Sequence, residues 1–153
     1  MSIEARLAEL GITLPKAAAP AANYVPWVLQ GNTLYISGQI PFREDGTLVL
    51  GRLGEDMDVA AGQATARLCG IGILAQAQAA LGSLDLIDRV LKLGAFVSST
   101  ANFFDQPKVV NGCSDLMVEV LGDAGRHARS AVGVPALPLG VAVEIDAVIA
   151  VKV

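Results

Sequence analysis

Apolar and polar positions along this chain follow two periods. Near the C-terminus, Val143, Ile145, Ala147, Ile149 and Val151 alternate with Ala142, Glu144, Asp146, Val148 and Ala150. Side chains of an extended strand point alternately to opposite faces. The spacing therefore predicts a strand over Val141–Val151, with a wholly apolar face and a second face carrying two acids. Ala128–Val134 (ARSAVGV) predicts another strand, and the loop between the two holds Pro135, Pro138 and Gly140. Folded back on each other, the two runs are expected to bring Arg129 near Glu144 and Asp146.

Earlier in the chain, Tyr24–Leu29 and Thr33–Gly38 read as strands flanking the tight-turn sequence Gln30-Gly31-Asn32. The second leads into SGQIPF (Ser37–Phe42), where Gly and Pro end it. Arg43–Gly46 is a turn, Thr47–Leu50 a short strand, and Arg89–Ser98 a buried strand. Three stretches carry helical spacing. Ser2–Leu10 aligns Ile3, Leu7 and Leu10, with Ser2 as cap and Gly11 as stop. From Asp58 to Ala80, Ala64, Leu68, Ile71 and Ala75 align on one face. Gly62, Gly70 and Gly72 each cost up to ~1 kcal/mol against Ala in a helix interior, which suggests close packing against a sheet. After Asp105, the expected cap, and Pro107 in the first turn, Val109/Val110, Cys113, Leu116/Met117 and Val120/Leu121 form an apolar stripe ending at Gly122.

The order β-β-(β)-α-β-α-β-β predicts an α+β fold, a mixed sheet with two main helices on one face. Residues 1–22 read as a short helix and a Pro/Ala-rich connector, TLPKAAAPAAN, and residues 23–153 as the folded domain. Two helices leave the other sheet face uncovered, so that face is expected to pack against another subunit.

Composition supports this. Of 153 residues, 53% are hydrophobic and only 17% charged, against about 25% charged in ordinary soluble domains. No apolar run approaches the ~18 residues that a membrane helix needs. The net charge is −4 and the sequence pI about 4.8, without a Lys/Arg cluster, which argues against nucleic acid as partner. Two cysteines with no CxxC spacing and one histidine exclude a classical zinc site; Cys69 and Cys113 read as buried thiols of a cytoplasmic protein. Gly31, Gly38, Gly51 and Gly54 form no phosphate-cradling loop.

Little in the chain carries chemistry. Arg129 offers a planar fork that binds a carboxylate at two points, or is simply an edge arginine reaching water. Glu144, with Asp146 on the same face, can activate a water, or belongs to a solvated strand face. Tyr24 and Trp27 read as core or interface aromatics. Ser37 is a strand-end hydroxyl without a GxSxG context. His127 lacks an acid or base partner in the sequence and reads as structural.

The segments 128-ARSAV-132 and 137-LPLGVAVEIDAV-148, together with 34-LYISGQIP-41, resemble the signature of the Rid/YjgF family, the reactive-intermediate imine/enamine deaminases. The resemblance spans residues 23–153. It implies a chorismate-mutase-like fold and a homotrimer with sites in the clefts between subunits. It also implies hydrolysis of small 2-imino acids to 2-oxoacids and ammonia, with no metal or cofactor. By the same resemblance, Arg129 binds the substrate carboxylate and Glu144 positions the water. Tyr24, Ser37 and, in the second long helix, Asn111 line the cleft. Backbone groups near Gly38 or Val134 are expected to orient the imine nitrogen.

The chain departs from the deaminase pattern at His127 (commonly Pro), Ala131 (often Cys) and Gly133 (commonly Glu). A non-catalytic, carboxylate-binding trimer, a sensor or chaperone-like protein, is therefore the alternative expectation. Endoribonuclease activity is a lesser one, given the acidic chain. One arginine is too little for a dicarboxylate such as chorismate.

Overall fold

The computed structural model describes residues 1–20 and 22–152. Ala21, in the expected connector, and Val153, the end of the expected domain, lie outside the described residues. Five strands form one sheet: β1 (Trp27–Gln30), β2 (Thr33–Gln39), β3 (Ile87–Ser98), β4 (Ala128–Val134) and β5 (Val143–Val151). Three α-helices accompany them: α1 (Ile3–Glu9), α2 (Val59–Leu81) and α3 (Gln106–Leu121).

The strands lie in the order β1-β2-β5-β3-β4. All neighbours are antiparallel except β3 and β4, which run parallel. A parallel pair needs a long crossover, and α3 supplies it. The mixed α+β sheet was expected; the C-terminal hairpin was not found. β4 and β5 do not fold back on each other, because β3 lies between them and is hydrogen-bonded to both. The α3 crossover sets β4 beside β3, and the 135–142 loop then carries the chain to the other side of β3. Alternation fixes which side chains share a face. It does not fix which strand is the neighbour.

The faces follow the expected split. Val143, Ile145, Ala147 and Ile149 are buried with Leu34, Ile36, Leu93 and Val97 beneath the helices. The expected stripe of α3 is buried from Val109 to Val120. The face of α2 was read only in part: Ala75 is buried and Leu68 and Ile71 half-buried, but Ala64 is exposed, whereas Thr65, Ala66, Cys69, Ile73, Leu74 and Ala77 are buried. This helix is apolar nearly all round, so its periodicity does not single out a face.

Local signals decide most boundaries. Ser2 accepts the Ala5 N–H and caps α1, and Asp58 accepts the Ala61 N–H at 2.8 Å and caps α2. Gly82, at φ +80°, ends α2 in the left-handed conformation that glycine adopts without strain. Gly31 (φ +60°) and Asn32 form the two-residue turn that pairs Gln30 with Thr33. Asp105 stands at the N-cap of α3 as expected but makes no side-chain capping hydrogen bond; its carboxylate lies 3.6 Å from Lys108 Nζ. Thr47–Leu50 is no full strand and joins others only through the bridges Phe42–Leu48 and Leu50–Val141. Among the described residues no helix is long and apolar enough to cross a membrane.

The helix glycines serve two surfaces. Gly72 of α2 faces Gln39 of the sheet, but Gly62 and Gly70 face Val109, Cys113 and Leu116 of α3. Gly112 of α3 is the tightest of these contacts, since a methyl there would run into the backbone of Gln63. A backbone cannot rotate aside as a side chain can. Gly112→Ala is therefore expected to lower unfolding stability by about 3 kcal/mol, at the upper end of overpacking penalties, in urea melts. A change under about 0.5 kcal/mol would contradict the close approach of α2 and α3.

Candidate functional site

The sequence-predicted residues fall into two groups on opposite faces of the sheet. Residues paired in register share a face. Arg129 pairs with Leu93, which pairs with Ala147, and both of these are buried under the helices. Glu144 pairs with Phe96, on the face away from the helices. A single chain therefore does not bring Arg129 and Glu144 together, contrary to the expectation from a hairpin.

The first group lines a cavity of about 360 Å³ that includes Tyr24, Ser37, Gly38 and Glu144. Glu144 is partly buried. Burial pushes its carboxyl above the ordinary glutamate value, and the charge of Asp146 adds to this. Burial likewise raises Asp146, partly offset by the Gly94 N–H and by Lys92. Both carboxylates lie against glycines. A Cβ on Gly38 would sit 2.6 Å from Glu144 Oε2, and one on Gly94 would sit 2.6 Å from Asp146 Oδ1. The sheet thus leaves space for each acid at the one position where a side chain would displace it.

Ser37 does not present a free hydroxyl. It donates to the Val25 carbonyl at 2.8 Å and holds the segment before β1 in place. The Pro/Ala connector, read as a surface link, lines this cavity through Ala18, Ala19, Pro20 and Ala22. Buried Gln76 anchors it by donating to the Ala18 carbonyl at 2.8 Å. Sequence reading missed Gln76, one of three glutamines in this apolar helix with Gln63 and Gln78, and no local signal set it apart.

The second group lines a groove of about 290 Å³ between α3 and β4 that includes Asn111, Ser114, His127 and Arg129. Asn111 and Arg129, expected to share a site, line the same groove. Arg129 Nη1 donates to Ser114 Oγ at 3.1 Å and Nη2 to the Pro107 carbonyl at 3.1 Å. Of the five guanidinium N–H groups these contacts use two, leaving three for a ligand. Ser114 Oγ lies 2.8 Å from His127 Nε2, and His127 Nδ1 lies 2.6 Å from the Gly125 carbonyl. Sequence reading missed Ser114, although its place one helical turn after Asn111 sets both on one face.

Val134 belongs with neither group. It lines a separate cavity with Ser99, Phe103 and Gln106, and its carbonyl accepts the Ser99 N–H at 3.0 Å. Within one chain it thus lies apart from Glu144. Cys69 and Cys113 are buried free thiols; burial raises both, Cys113 to about 12, with Arg129 opposing the shift in Cys113.

Among the described residues, none of the ion pairs includes Arg129, Glu144 or Asp146. One half-site therefore offers a guanidinium with no ion-pair partner, in a groove that Asp115 also lines, and the other offers two carboxylates with no ion-pair partner, Lys92 acting on Asp146 only at longer range. No group of three or more potential metal ligands occurs among the described residues.

The sheet order, the α3 crossover and the SGQIP and ARSAV segments define a class that the comparisons identify. The chain belongs to the YjgF/chorismate mutase-like, putative endoribonuclease family, whose model matches residues 4–148. It is 51% identical to protein TCP17 of Trypanosoma cruzi over 148 residues, 96% of this chain and 92% of that one. Among solved structures it resembles Atu1372 of Agrobacterium tumefaciens, a protein of unknown function, at 51% identity and TM-score 0.91, covering 98% of this chain and 92% of that one. A Shewanella oneidensis protein with the same endoribonuclease description is 34% identical with TM-score 0.95, covering 99% and 100%. Escherichia coli TdcF with bound serine is more distant, at 27% identity and TM-score 0.65, covering 90% and 94%.

Because Asp146 is the lesser of two causes that raise Glu144, Asp146→Asn is expected to lower the Glu144 titration midpoint without returning it to the ordinary glutamate value. Carboxyl ¹³C NMR reads this directly. A midpoint that stays put or rises would show that the two carboxylates do not interact.

Proposed function

We propose that the protein is a hydrolytic deaminase of small 2-imino acids. In this reading it acts as a homotrimer, in which the Arg129 groove of one copy meets the Glu144 cavity of the next. The observation that carries this reading is the pair of complementary half-sites, one cationic and one acidic, that a single chain holds on opposite faces of its sheet. The face away from the helices supports it. There Val28 pairs with Tyr35 and Tyr35 with Val148, while Val132 pairs with Phe96 and Phe96 with Glu144. Tyr35, Val28 and Val132 are 49%, 48% and 45% exposed, an apolar surface of the kind that subunits bury. The serine bound to TdcF is an α-amino acid, which carries the carboxylate this reading assigns to Arg129.

In this mechanism Arg129 binds the carboxylate and Asn111 lies alongside. Glu144 takes a proton from a water as its oxygen adds to the imine carbon. Glu144 returns that proton to the nitrogen, giving the tetrahedral carbinolamine, and then carries the hydroxyl proton to the nitrogen as the C–N bond breaks, which releases the 2-oxoacid and ammonia. Imine plus water gives oxoacid plus ammonia, and no electrons are transferred. The raised carboxyl of Glu144 suits this role, because a base is most effective when its pKa lies near the working pH. The substrate is already electrophilic, so positioning supplies most of what remains.

One observation favours a second reading, a trimer that binds small carboxylates without turning them over. A Cβ on Gly133 would lie 2.6 Å from both Gln106 Nε2 and Ser99 Oγ, so the space where the deaminases commonly carry a glutamate is here taken by these two side chains.

Imines generated by an amino-acid oxidase provide the test. Wild-type protein is expected to speed ammonia release from 2-iminobutanoate, and Arg129→Ala to reduce the rate about 100-fold or more while the oligomer persists. Gly38→Ala is expected to lower kcat about 10-fold with the fold intact, because the displaced atoms are the mobile end of Glu144. If ammonia release matches buffer alone for all imines while a 2-oxoacid still binds at Arg129, the binding reading replaces the catalytic one.

A further inference from the structure

His127 and Ser114 lie outside the residues that the resemblance assigns to the cleft, yet they reach Arg129 through one continuous hydrogen-bond chain. The chemistry of the chain fixes its direction. The Gly125 carbonyl can only accept, so His127 Nδ1, 2.6 Å away, carries a hydrogen. In the neutral ring Nε2 is then bare and accepts the Ser114 hydroxyl hydrogen across 2.8 Å. Arg129 Nη1 donates to the same Ser114 oxygen at 3.1 Å. While His127 is neutral, the single hydroxyl hydrogen of Ser114 is committed to the ring and has nothing to give a ligand.

Protonation reverses one bond. Nε2 becomes a donor, and Ser114 Oγ then accepts from both His127 and Arg129, which occupies its two lone pairs. Its hydrogen turns away from the ring, toward the groove. At the same step the groove gains a positive charge.

We propose that Ser114 is a further binding residue for the substrate carboxylate and that His127 is its positioning residue, so that the protein holds a small 2-oxo or 2-imino acid more tightly when His127 is protonated. This rests on Arg129 being the carboxylate anchor. The other charged groups around His127 are Asp115 on α3, Arg126 in the preceding turn, Arg129 on β4, and Arg89 of β3, which donates to the Arg126 carbonyl at 2.9 Å. Asp115 favours the protonated ring, whereas Arg126, Arg129 and Arg89 oppose it. Arg126 is itself partnered by Asp123 at 3.3 Å.

The test uses the intact protein and 2-oxobutanoate, a carboxylate that resembles the product and cannot be deaminated. Because the chain has one histidine, its imidazole resonances need no assignment. Below the titration midpoint the ¹⁵N shifts are those of the doubly protonated ring. Above it they are expected to show hydrogen on Nδ1; hydrogen on Nε2 would overturn the proposal. Saturation with 2-oxobutanoate is expected to raise the midpoint by about one unit. By linkage this corresponds to about tenfold tighter binding to the protonated form, the size of one charge-assisted hydrogen bond.

Calorimetry between pH 5.5 and 8.5 should give the same tenfold weakening as pH rises. It should be flattened in His127→Gln and reduced in Ser114→Ala. Binding with an unchanged midpoint and a flat profile overturns this inference alone, as does a Ser114→Ala profile equal to wild type. The absence of 2-oxobutanoate binding at every pH overturns the assignment of Arg129 as anchor as well. The wild-type titration needs no variant, so a variant that fails to fold leaves it decisive.

Discussion

The position of β3 between β4 and β5 governs the rest of the molecule. It is the longest strand, and it pairs with β4 on one side and β5 on the other. By separating the two C-terminal strands it keeps Arg129 and Glu144 from facing each other across a hairpin. By carrying register from one to the other, it also fixes which side of the sheet each occupies. Leu93, buried, is level with Arg129; Phe96 is level with Glu144. Three residues apart on one strand means opposite faces, and no side-chain rotation alters that. A cation and a carboxylate so divided can serve one reaction only if a second copy supplies the missing half.

Glycine is the second constraint, and it acts where atoms have no room rather than where the backbone needs freedom. Gly38 and Gly94 sit on strands that pair with β5, opposite its two acids. The carboxylates occupy the space that a side chain on either glycine would take. This partly withdraws them from water, and the rise in both carboxyls follows. Gly112 plays the same part between helices: it lets α3 approach α2, and α3 carries Asn111 and Ser114 to the groove beside β4. The packing of the core and the position of the Arg129 groove are therefore one problem.

Much of this was legible in the sequence because the signals were local. Alternation over Val143–Val151, the turn at Gly31-Asn32 and the cap at Ser2 each depend on residues close in sequence, and each appears as expected. The failures have a common cause. The neighbour of β4 was decided by a crossover 29 residues long, from Ser99 to His127, which leaves no mark in either strand. The buried face of α2 was hidden because alanine and glycine spread around that helix make every face apolar enough to bury. The Pro/Ala connector lacked any period, yet one buried amide, Gln76, draws it against the cavity. Motif resemblance did reach the residues of both half-sites, but not their division between two faces.

The histidine shows best what pattern reading leaves out. In sequence His127 had no partner, since Ser114 stands 13 residues earlier inside a helix whose stripe looked purely structural. In the fold, a turn at Gly122–Gly125 brings the chain back so that the ring meets Ser114, and the Gly125 carbonyl leaves only one arrangement of its hydrogens. Where the family resemblance led one to expect proline, His127 thus supplies a group that can donate, accept or carry charge, in the groove that holds Arg129. Proline has no side-chain polar atom and could do none of these. The departure from the family pattern at His127 is therefore an addition of chemistry to the groove, whereas that at Gly133 removes some. The two changes touch different surroundings: His127 lies in the groove with Arg129, and Gly133 lies against Ser99 and Gln106.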